Sequence, residues 1–323
     1  MNYLTVDVHL GAEDLAAALR ADARRGLTAT PKFMSPKWLY DERGSELFSE
    51  ITRQPEYYPT ESERRLLREV ADEIAGSAKA DTLVELGSGT SDKTRLLLDS
   101  LSRQGGLVRF IPFDVSEATL RAAGRAIRAE FPSIAVHAVV GDFDHHLEQI
   151  PRTGRRLVAF LGSTIGNLGP ADRQIFLRRL AATFGPDDRL LLGMDLVKDV
   201  SRLEAAYNDA AGVTAQFTHN LLTVMNRDLG ANFDVAAFSH DARWEPEHEW
   251  IRIGLRSGNR QTVRLTAIDL TVEFAEGELM RTEVSSKFRR DGFTAELESA
   301  GFGVTDWWDN GDVALTMAAV APL

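Results

Sequence analysis

Residues 82–94 read TLVELGSGTSDKT, and this stretch decides the fold. Its apolar start over residues 83–86 predicts a strand, and the glycine-rich residues 87–89 predict a tight bend before a helix over residues 92–101. Because glycine has no Cβ, the backbone of such a bend can approach a ligand closely. A strand, bend and helix in this order are typical of a loop that binds a nucleotide-like cofactor.

Acidic residues end the next two predicted strands. Asp114 follows strand 110–113 and stands about 25 residues past the glycines, near the spacing at which a carboxylate binds a ribose diol. Asp142 follows strand 134–140, where it could accept a hydrogen bond from an adenine amino group. Asp92 occupies the place of the third glycine of a dinucleotide fingerprint, which disfavours a pyrophosphate at the helix start. The pattern therefore favours a cofactor with adenosine and no phosphate, and S-adenosylmethionine is the obvious candidate.

The composition indicates a globular chain that can bury the core of one large domain or two. It has 323 residues, and 44% of them are hydrophobic. Its 37 basic and 48 acidic residues give a net charge of -11 without a basic stripe, so we expect no nucleic-acid partner. Neither an apolar run of about 18 residues nor a signal-peptide pattern occurs, so we expect no membrane partner and a cytoplasmic location.

A metal site is not expected. The chain has no cysteine, which excludes disulfides, thiolate metal sites and a cysteine nucleophile. The neighbouring His145 and His146 point in different directions on a helix or a strand, so with Asp142 and Asp144 they would form a poor metal cage.

The segment before residue 82 is predicted to be largely helical. Residues 11–25 have the pattern of an amphipathic helix. Residues 29–58 contain prolines and many aromatic residues, which in a loop-rich segment usually pack between layers and sometimes line a ligand site. Thr60 and Glu63 match a capping box at the start of the helix that leads to strand 82–86.

Strands and helices then alternate from strand 82–86 to strand 190–196, which predicts a parallel sheet with helical crossovers. The alternation stops after this strand. Residues 199–240 are predicted to be helical. Residues 249–256 and 262–274 alternate apolar with polar residues, as half-exposed antiparallel strands do.

The C-terminal residues predict a helix over 292–300 and two strands, 303–308 and 312–319. The strands are joined at Asn310 and Gly311, a strong hairpin signal. A parallel sheet closed by a C-terminal antiparallel hairpin is the layout of class I methyltransferases.

We therefore expect two domains in an α/β chain. A Rossmann-like doubly wound sheet would form a class I S-adenosylmethionine-dependent methyltransferase domain over residues 61–196 and 287–323. The N-terminus and the insertion would form an α+β substrate-binding domain over residues 1–60 and 197–286.

Three polar residues are candidates for binding an acceptor. Asn167 follows strand 157–161 at the sheet edge where open α/β sheets bind ligands, and its amide could hold an amine and a carboxylate. A turn asparagine is the alternative. Glu283 and Ser285 stand two apart on strand 281–288, so they share a face that suits an imidazole. The alternative is an exposed polar strand face.

Eight blocks of the chain carry further information. They read LTATPKFMSPKWLYDERGSELFSEITRQPEYYPT, LVELGSGTSDKT, FIPFDVS, GDF, FLGSTIGNL, DLVKD, AYNDAAGVTAQF and TEVSSKF. Together they resemble the histidine-specific α-N-methyltransferases of ergothioneine biosynthesis, over nearly the whole chain. The resemblance implies transfer of three methyl groups from S-adenosylmethionine to the α-nitrogen of L-histidine, which gives hercynine.

The resemblance also implies roles for individual positions. The cofactor contacts of the family fall on Gly87, Lys93, Asp114, Asp142 and Phe143. Its histidine contacts fall on Tyr57, Asn167, Tyr207, Glu283 and Ser285. In the family the asparagine and the second tyrosine hold the α-carboxylate and amine, and the glutamate and serine bind the imidazole. The first tyrosine lies at the amine, so we expect Tyr57 and Asn167 to be catalytic.

Aromatic faces are expected to accommodate the product. A quaternary ammonium has no N–H donors, and the rings of Tyr40, Phe48 and Tyr57 could hold it by cation–π attraction. For Tyr40 and Phe48, packing in the core is an equal alternative. Ile253 departs from the family, in which we expect a methionine beside the imidazole.

Other functions stay open on the sequence. The same fold could methylate another amino acid or small amine, although the presence of Glu283 and Ser285 favours histidine. The chain could also be a catalytically inactive cofactor-binding module. A dehydrogenase is disfavoured by Asp92 and by the C-terminal hairpin. We expect a monomer.

Overall fold

The structure, a computed structural model, describes residues 4–321. Its strands are β1 (Leu4–Val8), β2 (Thr82–Leu86), β3 (Arg109–Asp114), β4 (Ala135–Val140), β5 (Arg156–Phe160), β6 (Arg189–Asp195), β7 (Phe238–Glu245), β8 (Trp250–Ser257), β9 (Gln261–Leu265), β10 (Leu270–Phe274), β11 (Leu279–Ser286), β12 (Phe302–Asp309) and β13 (Val313–Val320). Its α-helices are α1 (Ala12–Leu27), α2 (Glu42–Ile51), α3 (Pro59–Ala78), α4 (Thr94–Arg103), α5 (Glu117–Glu130), α6 (Pro170–Ala181), α7 (Val200–Ala206), α8 (Val213–Leu229) and α9 (Arg290–Ser299).

The described residues form two compact units. The first contains residues 4–10, Pro59–Val197 and 288–321, and the second contains Gly11–Tyr58 and Lys198–Lys287. The division differs from the expected domains at the N-terminus, because β1 pairs with β4 and so joins the sheet of the first unit.

The first unit is built on an eight-stranded sheet in the order β1-β4-β3-β2-β5-β6-β13-β12. Strands β1 to β6 pair in parallel, and β13 pairs antiparallel with both β6 and β12. All five residues of β2 are buried, as expected for a strand in the middle of a parallel sheet. The predicted class I methyltransferase fold and its C-terminal hairpin are confirmed.

Two apolar clusters cover the faces of this sheet. On one face Leu67 of α3, Leu98 of α4 and Ile127 of α5 are fully buried in one cluster. Leu177 of α6 and Leu297 of α9 belong to the other. The helices therefore cover both faces of the sheet, and its ligand-binding edge is formed by the loops at the strand ends.

The second unit has smaller sheets packed on helices. Strands β7, β8 and β11 form an antiparallel sheet in the order β11-β8-β7, and β9 pairs antiparallel with β10. A core cluster joins the sheets to α1, α2 and α8 through buried residues such as Leu27, Leu47, Leu221 and Phe274. The prediction of antiparallel strands after residue 249 is confirmed, but residues 262–274 form two strands, β9 and β10, joined through a 3₁₀ turn at Thr266–Ile268.

The helical prediction over residues 199–240 is wrong at its end. Helix α8 stops at Gly230, whose φ of +58° is left-handed, and its N–H bonds the Met225 carbonyl. Because glycine adopts this conformation easily, it ends the helix. Strand β7 then begins at Phe238.

A glycine-to-alanine substitution in α2 tests the packing of the second unit, and one in α3 of the first unit is its control. A Cβ at Gly44 in α2 would lie 1.7 Å from the Leu39 carbonyl oxygen, whereas a Cβ at Gly76 in α3 would meet only the Gln104 side chain at 3.8 Å. We expect Gly44→Ala to lower the free energy of unfolding by about 1–3 kcal/mol or more. Gly76→Ala should raise it by up to about 1 kcal/mol, because alanine is the better helix former. Urea unfolding measures both, and equal stability of the two variants would contradict the packing described.

Candidate functional site

The loop after β2 makes its turn at two glycines. Gly87 and Gly89 have φ values of +65° and +48°. A Cβ at Gly87 would lie 3.5 Å from the Phe143 ring, and the Gly87 N–H donates to the Phe113 carbonyl over 2.8 Å. The predicted glycine bend thus lies against the end of β3 and the loop after β4.

Asp114 holds this bend in place. Its carboxylate accepts from the N–H groups of Gly89 and Ser116, each over 3.0 Å. Burial raises the pKa of Asp114 above its ordinary value, and these backbone hydrogen bonds oppose the rise. The carboxylate is therefore fixed beside the glycines at the end of β3.

Asp142 and Phe143 form the neighbouring wall. The Phe143 ring stacks on Phe113 with centroids 5.7 Å apart and meets Phe160 edge-on at 5.2 Å. Asp142 Oδ1 accepts from the His145 N–H over 2.8 Å. Asp142 Oδ2 makes no hydrogen bond to any residue between 4 and 321, so it remains an acceptor.

Glu63 connects Lys93 with the loop after β5. Its buried carboxylate accepts from the Lys93 ammonium and from the Gly162 N–H, which lies 2.8 Å from Oε1. The predicted capping box of Thr60 and Glu63 is wrong, because α3 already begins at Pro59 and the Glu63 carboxylate forms these long-range contacts instead. Gly193 is required beside it, since a Cβ there would lie 1.9 Å from Glu63 Oε1.

Asn167 ends a short 3₁₀ helix, Thr164–Asn167, that follows this loop. The chain turns through Gly162 and Ser163 at φ values of +75° and +57°. The Asn167 side chain is half-buried and makes no hydrogen bond to any other described residue. The local bond of a turn asparagine is thus missing, and the amide is available to a ligand.

In the second unit three buried side chains form a hydrogen-bonded triangle. The hydroxyls of Tyr207 and Ser285 lie 2.7 Å apart, and the Lys287 ammonium donates to each over 2.8 Å. Their exposed fractions are 9%, 3% and 3%. The alternative of an exposed strand face is therefore wrong for Ser285.

Glu283 lies beside this triangle. In the register of β11 and β8, Glu283 is opposite Ile253 and Ser285 is opposite Ile251. Residues paired in this way share a face, and both isoleucines pack in one cluster with Tyr207. Burial raises the pKa of Glu283 to about 7, while the charge of Lys287 lowers it.

Tyr57 belongs to an aromatic group of the second unit. Its ring meets Tyr207 edge-on at 6.0 Å and Phe48 at 6.2 Å. Tyr40 and Phe48 also contact Phe217, at 5.3 Å and 6.1 Å. These contacts give Tyr40 and Phe48 a packing role.

The predicted site residues thus fall into two sets. The first unit contains Gly87, Lys93, Asp114, Asp142, Phe143 and Asn167. The second contains Tyr57, Tyr207, Glu283 and Ser285. Sequence reasoning missed Glu63 and Lys287. For Lys287 a signal existed, because it stands two residues after Ser285 within the predicted strand 281–288, and so on the same predicted face.

The first set fits an adenosine-containing cofactor. Glu85 Oε2 and Ser88 Oγ are buried beside the glycine bend without hydrogen-bond partners among the described residues. Together with Asp142 Oδ2 they offer polar atoms that a ligand can satisfy. Within residues 4–321 there is no group of three acidic or histidine side chains that could hold a metal, and no helix is long and apolar enough to cross a membrane.

Comparison with known proteins gives consistent matches. A family described as histidine-specific, SAM-dependent methyltransferases matches residues 19–321. The histidine N-alpha-methyltransferase of Mycolicibacterium smegmatis is 56% identical over 317 residues, which cover 98% of this chain and 99% of that protein. The protein of the same name from Mycobacterium tuberculosis is 54% identical over 318 residues, with the same coverage of 98% and 99%. Ergothioneine biosynthesis protein 1 of Schizosaccharomyces pombe is 32% identical over 237 residues, which cover 70% of this chain and 31% of that protein.

The buried Glu85 carboxyl gives a prediction about pH. Burial raises its pKa to about 7, although the Thr94 hydroxyl donates to it. The folded protein therefore binds more protons than the unfolded chain between about pH 4.5 and 7, and this group lowers stability as pH rises through that range. We compare the free energy of unfolding of Glu85→Gln with that of the parent protein. From pH 5 to pH 8 we expect this difference to change by about 1–3 kcal/mol in favour of the variant. Urea unfolding at both pH values tests this, and a pH-independent difference would contradict it.

Proposed function

Because the chain belongs to the histidine-specific, S-adenosylmethionine-dependent methyltransferase family, we propose that it methylates the α-amino nitrogen of L-histidine. Three transfers give hercynine, the first step of ergothioneine biosynthesis. The observation that carries the choice of histidine is the arrangement of β11. There the buried hydroxyl of Ser285 and the carboxyl of the half-buried Glu283 share one strand face.

The first unit supplies the cofactor residues. S-adenosylmethionine, when bound, provides a methyl group that is already activated by its sulfonium. Asp114 would accept from the ribose hydroxyls, Asp142 Oδ2 from the adenine amino group, and the Phe143 ring would lie against the adenine. The Gly87 backbone leaves room because no side chain stands there. Lys93, whose ammonium donates to the Glu63 carboxylate, would also belong to this cofactor site.

The second unit supplies the residues for the acceptor side chain. An imidazole has two ring nitrogens, and its neutral form needs one acceptor for the N–H and one donor for the other nitrogen. A carboxylate and a hydroxyl satisfy both needs. A benzene or indole ring cannot use both groups, so Glu283 and Ser285 would favour histidine over phenylalanine and tryptophan.

The reacting amine must lose its proton before each transfer. An α-amino group titrates at about pH 8, so near neutral pH most of it is protonated. Burial in a site disfavours the ammonium form. Tyr57 and Asn167 would orient the neutral amine, and orientation can supply most of the rate because the donor needs no further activation.

The product requires a site that tolerates a cation without N–H groups. The Tyr57 ring could contribute about 0.5–2 kcal/mol of cation–π attraction. Tyr40 and Phe48 would act by supporting Tyr57 through the ring contacts of this unit.

A competition assay tests the proposed function. The purified protein is incubated with S-adenosylmethionine and an equimolar mixture of the twenty amino acids, and products are identified by mass spectrometry. We expect histidine alone to gain three methyl groups. Methylation of another amino acid would overturn the choice of acceptor, and the absence of any methylated product would favour an inactive cofactor-binding module.

Glu283→Ala tests the acceptor assignment. It removes the carboxylate from a partly buried site, so we expect the KM for histidine to rise about 10- to 100-fold. The Kd for S-adenosylmethionine, measured by calorimetry, should change less than about threefold, because this residue is not assigned to the cofactor. Glu273→Ala, at an exposed position on β10, is the matched control and should change neither constant. Equal losses in histidine and cofactor binding would indicate that Glu283 is only structural.

A further inference from the structure

Lys287 is a buried cation that none of the proposed roles uses. It follows β11, its exposed fraction is 3%, and its ammonium donates to Ser285 Oγ and to the Tyr207 hydroxyl. The ammonium also lies 4.6 Å from the centroid of the Tyr207 ring. Its backbone N–H donates to the Glu249 carbonyl over 2.7 Å, which fixes the start of the side chain.

The triangle limits how many protons its hydroxyls can offer. An ammonium only donates, so both hydroxyl oxygens accept from Lys287. The contact of 2.7 Å between Tyr207 and Ser285 consumes one of the two hydroxyl protons. The triangle itself therefore leaves one hydroxyl proton unused. When Tyr207 donates to Ser285, that proton belongs to Ser285.

Lys287 also acts on Glu283. Its charge lowers the pKa of this carboxyl against the effect of burial. On the neighbouring strands β7 and β8, charged side chains form hydrogen bonds with one another. Arg252 and Arg256 bond Asp241, and Arg252 also bonds Glu245. His240 on β7 donates to the Tyr207 carbonyl, and burial lowers its pKa.

We propose that Lys287 is a positioning residue for recognition of the acceptor side chain. It donates to the hydroxyls of Tyr207 and Ser285, so that Ser285, when it accepts from Tyr207, has a proton to offer beside the Glu283 carboxyl. The strand face then presents one donor and one acceptor, which is the complement of a neutral imidazole. The inference rests on the proposed function, since it takes the imidazole of histidine as the group recognised.

The first test is the pH dependence of histidine methylation. Lys287→Met removes the charge and both hydrogen bonds, and Lys287→Gln keeps N–H donors without the charge. Lys287→Arg keeps the charge. We expect Lys287→Met to raise the KM for histidine about tenfold or more, with less than a threefold change in the Kd for S-adenosylmethionine. In the pH profile of kcat/KM, the acidic limb should move to higher pH in Lys287→Met and Lys287→Gln. In Lys287→Arg it should lie close to that of the parent protein.

Two controls separate this role from a structural one. Lys32→Met removes another lysine of the second unit, whose ammonium bonds Glu278 over 2.5 Å, and should leave the pH limb in place. In a protein that also carries Glu283→Gln, Lys287→Met should no longer move the limb. An unchanged limb in the Met and Gln variants, or the same shift in the Glu283→Gln background, would overturn the proposal.

A second test does not depend on activity. The change in the free energy of unfolding caused by Glu283→Gln is measured by urea unfolding at pH 5.5 and pH 8.5. It is measured once in the parent protein and once in a protein that carries Lys287→Gln. Without the nearby cation the charged carboxylate is less favourable, so the gain at pH 8.5 should be larger in the Lys287→Gln background. Equal gains in both backgrounds would overturn the coupling. If the parent protein does not methylate histidine, the proposed function fails separately, while this cycle still decides whether Lys287 acts on Glu283.

Discussion

The carboxylate of Glu63 holds together the edge of the sheet on which the first unit depends. Strand β2 lies between β3 and β5, so the chain turns to opposite sides of β2, and this reversal opens a crevice at the strand ends. Glu63 reaches it from α3 and binds both the Lys93 ammonium and the Gly162 N–H. The loops after β2 and β5 are thereby fixed, and Gly193 leaves the space that the carboxylate needs.

Each unit contains buried polar groups, and their arrangement differs between the two units. In the first, backbone N–H groups hold Asp114, and buried oxygens such as Glu85 Oε2 have no hydrogen-bond partner among the described residues. In the second, the Lys287 ammonium donates to two hydroxyls, and its charge lowers the pKa of Glu283 against the effect of burial. Such arrangements cost stability, because burial disfavours charge. Under the proposed function, ligand recognition explains their presence.

Local sequence patterns predicted most of the fold. The wrong or missing predictions concern residues whose partners are distant in the sequence. The glycine bend and the Asn310-Gly311 hairpin are encoded by neighbouring residues. Glu63 looked like a helix cap, but its carboxylate binds Gly162, 99 positions away. Strand β7 escaped prediction because Asp241, on its buried side, is charged and is paired by arginines of β8. Strand β1 has the alternating pattern LTVDV, but five residues are too few to recognise without their partner β4.

The sequence indicated which residues to consider for the candidate site, but not their hydrogen bonds. Glu283 and Ser285 became candidates through their spacing and the family resemblance, whereas the bond from Lys287 to Tyr207 joins residues 80 positions apart. The central claim is methylation at the α-nitrogen, and NMR of the product made from L-histidine labelled with ¹⁵N only at that nitrogen tests it most directly. The account predicts a single methyl signal coupled to the label and integrating to nine protons. Methyl protons without that coupling would place the reaction at an atom other than the α-nitrogen and contradict the account.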